Sequence, residues 1–261
     1  MPVTISQART ALAKTKLPDV AHFAADGTVA GMGMPNFDAS KSQSVVIGSD
    51  VVSFGTGVEA EFRQAITDSA LYAQLAALHI VGAKADPMTF FDAYFAKLME
   101  LGWLVQSRET SKIAVDGAGL DVHQAILGVI TTFLAPIAGA AAAVLAVLEG
   151  LHKMNSDAPF ITLFNQRSTS EKVGKFQFTF VRPDPAKGLL AEMAAFGLNA
   201  DEKITQILFF KIHKGATAVH RSLGSLSIDP KQLSALRPNL AAKVLAYRQS
   251  MVAAAELGPV D

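Results

Sequence analysis

The chain has 261 residues, half of them apolar and 18% charged, and its 23 basic residues balance 23 acidic ones. This composition excludes a disordered chain and a collagen, and the balanced charge argues against a nucleic-acid partner. Because there is no cysteine, disulfides, thiolate metal sites and cysteine nucleophiles are excluded. The first ten residues lack the apolar core of a Sec signal peptide, which predicts a cytoplasmic protein or one released by another route.

The first part of the chain, residues 1–155, is predicted to be rich in helix. Its elements, in chain order, are a helix capped by Thr4 and Gln7, a strand or short hairpin at 44–54, a helix at 58–81, a helix that begins at Asp86-Pro87, and a strand at 103–115. An apolar segment without acidic or basic residues follows at 122–148.

The middle part, residues 156–228, is predicted to be rich in strand because its apolar residues recur with a period of two. The predicted strands are 160–165, 175–182, 188–200, 204–213 and 216–228. Residues 188–200 favour helix by propensity, but their length and the flanking turn residues favour a strand of a meander. Residues 204–213 are apolar on both faces, which predicts a sheet covered on both sides.

The last part, residues 229–258, is predicted to form closing helices, the second of which begins at Pro238. No linker or repeat divides the chain, so residues 1–261 are predicted to form a single domain. Helices followed by consecutive strands predict an α+β fold. The predicted architecture is a three-layer α/β/α sandwich with a mainly antiparallel sheet between helical layers.

The charge-free segment at 122–148 is long enough to cross a bilayer, because 27 residues of helix extend roughly 40 Å. It contains eight alanines and two threonines, which favours a helix buried in a soluble core. A constitutive membrane span and a helix released to lipid on demand remain alternatives. Pro136 lies in its middle, which predicts a break or hinge into two shorter helices.

No motif in the chain predicts a catalytic, metal or cofactor site. None of the six histidines pairs with a carboxylate at metal-ligand spacing, and the G-x-S-x-G, P-loop and dinucleotide-binding patterns are absent or incomplete. A hydrolase site assembled from scattered residues remains open, because such sites form only in space. The balance of these observations favours a protein that is not an enzyme.

The chain contains sixteen phenylalanines, many of them in the predicted strands, where Phe176, Phe178 and Phe180 share one face. These rings either pack as an ordinary core or line an apolar cavity that holds an acyl chain. The candidate lining residues lie in the charge-free segment and in two strands: Ile126, Ile130, Phe133, Leu134, Val144, Phe176, Phe178, Phe180, Leu208 and Phe210.

The strand sequences 175–181 and 204–211, together with the helical first half and the charge-free segment, resemble a known group of proteins. That group joins the Evf virulence factor with the Cyt-type insecticidal cytolysins. The resemblance implies a single domain with a sheet between two helical layers, and direct association with lipid. Evf carries a fatty acid on a cysteine, and this chain has none, so any lipid would be held non-covalently.

These observations predict a lipid-associating, toxin-like or virulence-factor-like protein. Its expected partners are fatty acid or phospholipid and, conditionally, a membrane surface on which it oligomerises or which it permeabilises. The alternative is a soluble enzyme or carrier that binds an apolar small molecule between sheet and helices.

Overall fold

A computed structural model describes residues 2–24, 33–113, 122–153, 159–200, 204 and 218–255. The helices are α1 (Ile5–Lys14), α2 (Ala21–Ala24), α3 (Ala60–Val81), α4 (Pro87–Glu100), α5 (Val122–Leu134), α6 (Ala140–Lys153), α7 (Pro159–Ser168), α8 (Pro230–Val244) and α9 (Arg248–Met251), with a 3₁₀ turn at Leu245–Tyr247. The strands are β1 (Gln43–Ile47), β2 (Asp50–Phe54), β3 (Leu104–Ile113), β4 (Thr169–Ser170), β5 (Val173–Asp184), β6 (Gly188–Asn199), β7 (Ala218–Ile228) and β8 (Val252–Ala255).

The described strands form one sheet in the order β3-β7-β6-β5-β2-β1-β8, and the two-residue β4 pairs with the start of β5. β2 and β5 run parallel, whereas the other paired strands run antiparallel. The central strand β5 places Phe178 between Val51 of β2 and Ala194 of β6. The mainly antiparallel sheet predicted from the sequence is confirmed.

Apolar side chains cover both faces of the sheet because successive residues of a strand point to opposite sides. Met193 of β6 joins a core formed with α1, α3, α4 and α8. Its neighbour Ala194 joins a second core formed with α5, α6 and α7. These two cores on opposite faces confirm the predicted three-layer arrangement.

Most of the predicted helix and strand starts are confirmed where the structure describes them. The Thr4 side chain accepts from the Gln7 backbone amide, and the Gln7 side chain caps the Thr4 amide in return. Asp86 Oδ1 accepts from the Met88 amide at 2.9 Å, with Pro87 as the first residue of α4. Gly48 has a φ of 56° in the tight turn between β1 and β2, a conformation that favours glycine.

β6 forms a strand as predicted, although its residues favour helix by propensity. It pairs with β5 on one side and β7 on the other, and its residues from Leu189 to Leu198 are buried. Two ladders of hydrogen bonds and contacts on both faces outweigh a propensity difference of about 1 kcal/mol or less per residue.

The strand predicted at 160–165 is wrong, because these residues belong to helix α7. Pro159 is the first residue of α7. A backbone amide at this position has no partner within the helix, so a proline here costs no hydrogen bond. Ile161 and Phe164 are three residues apart and both buried in the core beneath α5 and α6. An apolar run of six residues fits the period of a helix as well as that of a strand, and here packing against the sheet selects the helix.

The closing region also differs from the prediction. α8 begins at Pro230, where Asp229 Oδ1 accepts from the Lys231 amide at 2.7 Å, and continues through Pro238 instead of restarting there. Pro238 lacks the amide that would donate to the carbonyl of Ser234, and both residues are exposed, so water can serve as that carbonyl's donor. Residues 252–255, predicted as helix, form β8 and pair with the edge strand β1. Gly258, the predicted helix end, lies outside the described residues.

The clearest predicted strand, 204–213, falls almost wholly outside the described residues.

Candidate functional site

The charge-free segment forms a hairpin of two helices, α5 and α6, joined by a turn at 135–139. Pro136 lies in this turn, which confirms the predicted break, and Gly139 has a φ of 74° just before α6 begins. The two helices have 13 and 14 residues, so each is about 20 Å long. None of the described helices is both long and apolar enough to cross a membrane.

Beneath the hairpin, aromatic rings of the sheet and of α7 form a compact cluster. Phe176 stacks on Phe196 of β6 with ring centroids 5.3 Å apart, and meets Phe178 edge-on at 5.9 Å. Phe164 of α7 lies 6.1 Å from Phe176. These distances and orientations are those of favourable aromatic pairs, so the rings form a packed core.

The inward side of the hairpin completes this cluster with aliphatic side chains. The structure brings most of the predicted lining residues together in one buried core: Ile126, Ile130, Leu134, Val144, Phe176, Phe178 and Phe180. Phe133 is half-buried at its margin, whereas Leu208 and Phe210 lie outside the described residues. A role in holding lipid remains a prediction for all of these residues.

Apolar contacts hold the described side chains of the hairpin, those of residues 124–150, to the sheet. Among the described side chains of residues 124–150, the one hydrogen bond is from Thr132 Oγ1 to the Gly128 carbonyl within α5, and there is no ion pair. The opposite helical layer is attached differently: Gln74 of α3 donates to the Ile47 carbonyl at 2.7 Å, and Arg63 donates to the Gly55 carbonyl at 2.9 Å. The described side chains of the hairpin therefore make no polar contact with the sheet.

The outward side of the hairpin faces solvent, which corrects the expectation that residues 122–148 are buried throughout. Thr131, Thr132, Pro136 and Ala142 are exposed, and none of them is charged. Because Ala142 is exposed, a charge at this position would not enter the core. From residue 124 to residue 148 this outward surface carries no charge, although it lies in water, and the exposed Glu149 of α6 follows it.

A second notable group lies on the other face of the sheet. Asp50 is fully buried, accepting from Gln177 Nε2 at 2.6 Å and from Thr179 Oγ1 at 3.1 Å. Tyr94 and Trp103 line the same small cavity of about 10 Å³. Burial raises the pKa of Asp50 to about 7, since the two hydrogen bonds offset only part of the desolvation. Sequence reasoning missed Asp50 because aspartate beside Gly48 and Ser49 is typical of a turn.

We expect Asp50→Asn to change how stability depends on pH. The pKa of Asp50 in the folded chain, about 7, exceeds the unfolded value of 3.8, so the folded state binds the proton more tightly. This group therefore makes stability fall as pH rises from about 4 to about 7, and asparagine removes that fall. Urea unfolding should show that the free energy of unfolding of Asp50→Asn, relative to that of the parent, is higher at pH 8 than at pH 5. The same difference in free energy of unfolding between variant and parent at both pH values would contradict the burial of an ionisable Asp50.

Among the described residues, no cluster of histidine, aspartate and glutamate could hold a metal ion.

No known protein family and no curated protein matches the sequence. Among solved structures, the chain is similar to one titled delta-endotoxin, with 13% identity and a TM-score of 0.37 over 77% of this chain and 85% of that one. It is similar to activated Cyt2Ba from Bacillus thuringiensis subsp. israelensis, with 14% identity and a TM-score of 0.30 over 68% and 97% of the two chains. The Evf virulence factor matches with 9% identity and a TM-score of 0.34 over 86% and 88%.

The resemblance to the group of Evf and the Cyt-type cytolysins, which the sequence indicates, is therefore also found among solved structures, as a weak likeness in fold.

Proposed function

We propose that this protein is a lipid-associating, toxin-like protein that acts by releasing the hairpin α5–α6 from the sheet onto a membrane. The observation that carries the proposal is the attachment of the hairpin: its described side chains, residues 124–150, meet the sheet through apolar contacts alone, and the sequence has no acidic or basic residue from 122 to 148. Residues 124–150 therefore lose no described hydrogen bond or ion pair to the sheet when they move into lipid.

Water opposes this release and lipid permits it. Each fully buried valine, leucine or isoleucine contributes about 1.5–3 kcal/mol, and the hairpin buries several, among them Ile126, Ile130 and Leu134. Lifting it into water therefore costs on the order of 10 kcal/mol, which keeps it closed. Against hydrocarbon the same side chains regain an apolar environment, so the membrane itself is the trigger.

The helix lengths indicate how the hairpin meets the bilayer. Each helix extends about 20 Å, which is less than the roughly 30 Å of the hydrocarbon core. The hairpin therefore lies within the interface or enters one leaflet instead of spanning the bilayer. Pro136 and Gly139 in the connecting turn act as the hinge between the two helices.

Release also uncovers the aromatic face of the sheet, with Phe176 and Phe178. An acyl chain bound there gains about 0.8 kcal/mol for each methylene buried. In the closed form these rings pack against the hairpin, so fatty acid or phospholipid competes with the hairpin for this face. Without a cysteine, the lipid is held non-covalently.

Ala142→Asp tests the proposal against a matched change, Ala242→Asp on α8. Both alanines are exposed helix positions, so each variant should unfold within about 0.5 kcal/mol of the parent. A carboxylate on the hairpin opposes entry into hydrocarbon, where aspartate costs up to about 3 kcal/mol. We expect binding to phosphatidylcholine liposomes and release of trapped dye to fall about tenfold for Ala142→Asp and to stay unchanged for Ala242→Asp.

The outcomes separate the candidate functions. Equal leakage from the two variants would show that the hairpin does not enter the membrane. Uptake of labelled palmitate without leakage would favour the alternative, a soluble carrier. A parent protein that neither binds liposomes nor takes up palmitate would overturn the proposal.

A further inference from the structure

A cleft of about 450 Å³ opens beside the start of β5, and none of its described lining residues belongs to the hairpin. Its walls come from the end of α3 and the loop that follows, from α2, from the end of α7 and from β4. Phe23 and Leu78 supply apolar surface, whereas Lys84, Arg167 and Lys175 supply positive charge. The cleft therefore joins an apolar part to a cationic part.

Lys175 is the unusual member of this wall. The residue is only 4% exposed, its Nζ donates to the Ala83 carbonyl at 2.8 Å, and it lies 4.7 Å from the centre of the Phe90 ring. It forms no ion pair with any carboxylate that the structure describes. An ammonium has three donors and one is used here. Burying a cation without a counter-ion is costly, and burial lowers the pKa of Lys175 to about 8.

The surrounding groups reinforce the positive character of the cleft. Lys84 Nζ pairs with a Glu171 carboxylate oxygen at 2.7 Å, but both side chains are more than half exposed, so this pair contributes little. Arg167 is held in place by donating to the carbonyls of Phe23 and Ser250 at 3.3 Å. Lys84 and Arg167 therefore place two further cationic side chains in the wall that contains Lys175.

We propose that this cleft binds an oxyanion, a phosphate or a carboxylate, carried on a short apolar body. Lys175 supplies the charge-assisted hydrogen bonds, and the anion supplies the counter-ion that the buried ammonium lacks among the described residues. The Ser170 hydroxyl lines the same cleft and is a further donor, whereas Thr169 already donates its proton to the Asn165 carbonyl. Phe23 and Leu78 contact the apolar body.

Titration calorimetry with four small probes tests this chemistry: inorganic phosphate, hexyl phosphate, hexanoate and hexanol. We expect hexyl phosphate to bind more tightly than inorganic phosphate because of the apolar wall, hexanoate to bind, and hexanol not to bind. Phosphatidylcholine vesicles with and without phosphatidic acid distinguish the sources. Preference for the acidic vesicles over hexyl phosphate would support a lipid headgroup as the source, and the reverse would support a free metabolite.

Lys175→Met removes the charge while keeping an unbranched apolar stem, and Lys231→Met at an exposed position of α8 is the matched control. We expect Lys175→Met to weaken hexyl phosphate binding at least about tenfold and the control to leave it unchanged. NMR of labelled lysine side chains should show the pKa of Lys175 rising when hexyl phosphate binds. Unchanged affinity in Lys175→Met, or an unchanged Lys175 pKa in the parent, would overturn the proposal.

The proposal for the cleft and the proposal for the hairpin can be overturned independently of each other. The Ala142→Asp variant, which should no longer act on liposomes, is expected to bind hexyl phosphate like the parent. A parent protein that binds no anion but still permeabilises liposomes would overturn only the proposal that the cleft binds an oxyanion.

Discussion

Arg248→Ala is expected to lower the free energy of unfolding by about 3–5 kcal/mol. Arg248 donates to the two carboxylate oxygens of Asp68 at 2.9 and 2.6 Å, and Asp68 is fully buried in α3. Without the guanidinium, the carboxylate is left as an uncompensated charge in the core. Burial already raises the pKa of Asp68 despite this partner.

The stability lost in Arg248→Ala should increase with pH. A carboxyl whose folded pKa is raised binds its proton more tightly in the folded state, so stability is lost as pH rises. Removing Arg248 raises the pKa of Asp68 further, so urea unfolding should show a larger loss at pH 8 than at pH 5. Adding Asp68→Asn to Arg248→Ala removes the buried charge and should recover part of the stability.

Arg237→Ala is the matched control for this pair. Arg237 of α8 also pairs with α3, through Glu61 at 2.9 Å, but both side chains are nearly half exposed. Water screens such a pair, so its loss should cost less than about 1 kcal/mol. Similar losses for Arg237→Ala and Arg248→Ala would contradict the burial that distinguishes the two pairs.

Phe176→Ala is expected to lower the free energy of unfolding by about 3–5 kcal/mol. The ring is fully buried and contacts Phe164, Phe178 and Phe196, so truncation leaves a cavity at the centre of the cluster under the hairpin. Thermal and urea unfolding should both record the loss.

Phe133→Ala provides the comparison, because Phe133 lies half-buried at the margin of the same core. Its truncation should cost less than about 2 kcal/mol, since part of the ring already faces water. If Phe176→Ala cost no more than Phe133→Ala, the cluster would be loosely packed in the closed form. The acyl chain would then have room without release of the hairpin.

The two large predictions concern opposite sides of the sheet, which are built differently. The layer with α3 is attached to the β1–β2 region through the buried Arg63 and Gln74, whereas Asp68 ties α3 to α9. The described side chains of the hairpin, residues 124–150, meet the sheet through apolar packing alone. Polar attachments lose their partners when a layer moves, whereas apolar contacts can be exchanged for lipid, and this difference is the basis of the proposed release of the hairpin.

Local signals in the sequence determined several elements correctly. Thr4 and Gln7, and Asp86 and Pro87, mark helix starts because capping depends on residues two or three positions apart. Pro136 marks the turn between α5 and α6 because proline is unfavourable inside a helix, although α8 accommodates Pro238. The alternation of Phe176, Phe178 and Phe180 sets one face of a strand. The absence of charge from 122 to 148 is likewise a property of the sequence alone.

Tertiary structure decided what depends on neighbours distant in the sequence. Residues 160–165 fit a strand or a helix, and packing against the sheet selected α7. Residues 252–255 became a strand because the edge of β1 was available to pair with them. Which side of the hairpin faces water also depended on where the sheet lies.

The two polar sites were beyond sequence reasoning for the same reason. Asp50 meets Gln177 across 127 positions, and Lys175 meets the Ala83 carbonyl across 92. Aspartate and lysine are ordinarily exposed, so their types predict solvent contact. Only the folded chain shows that both are buried, and burial is what gives an ionisable group a shifted pKa and an unmet need for a partner.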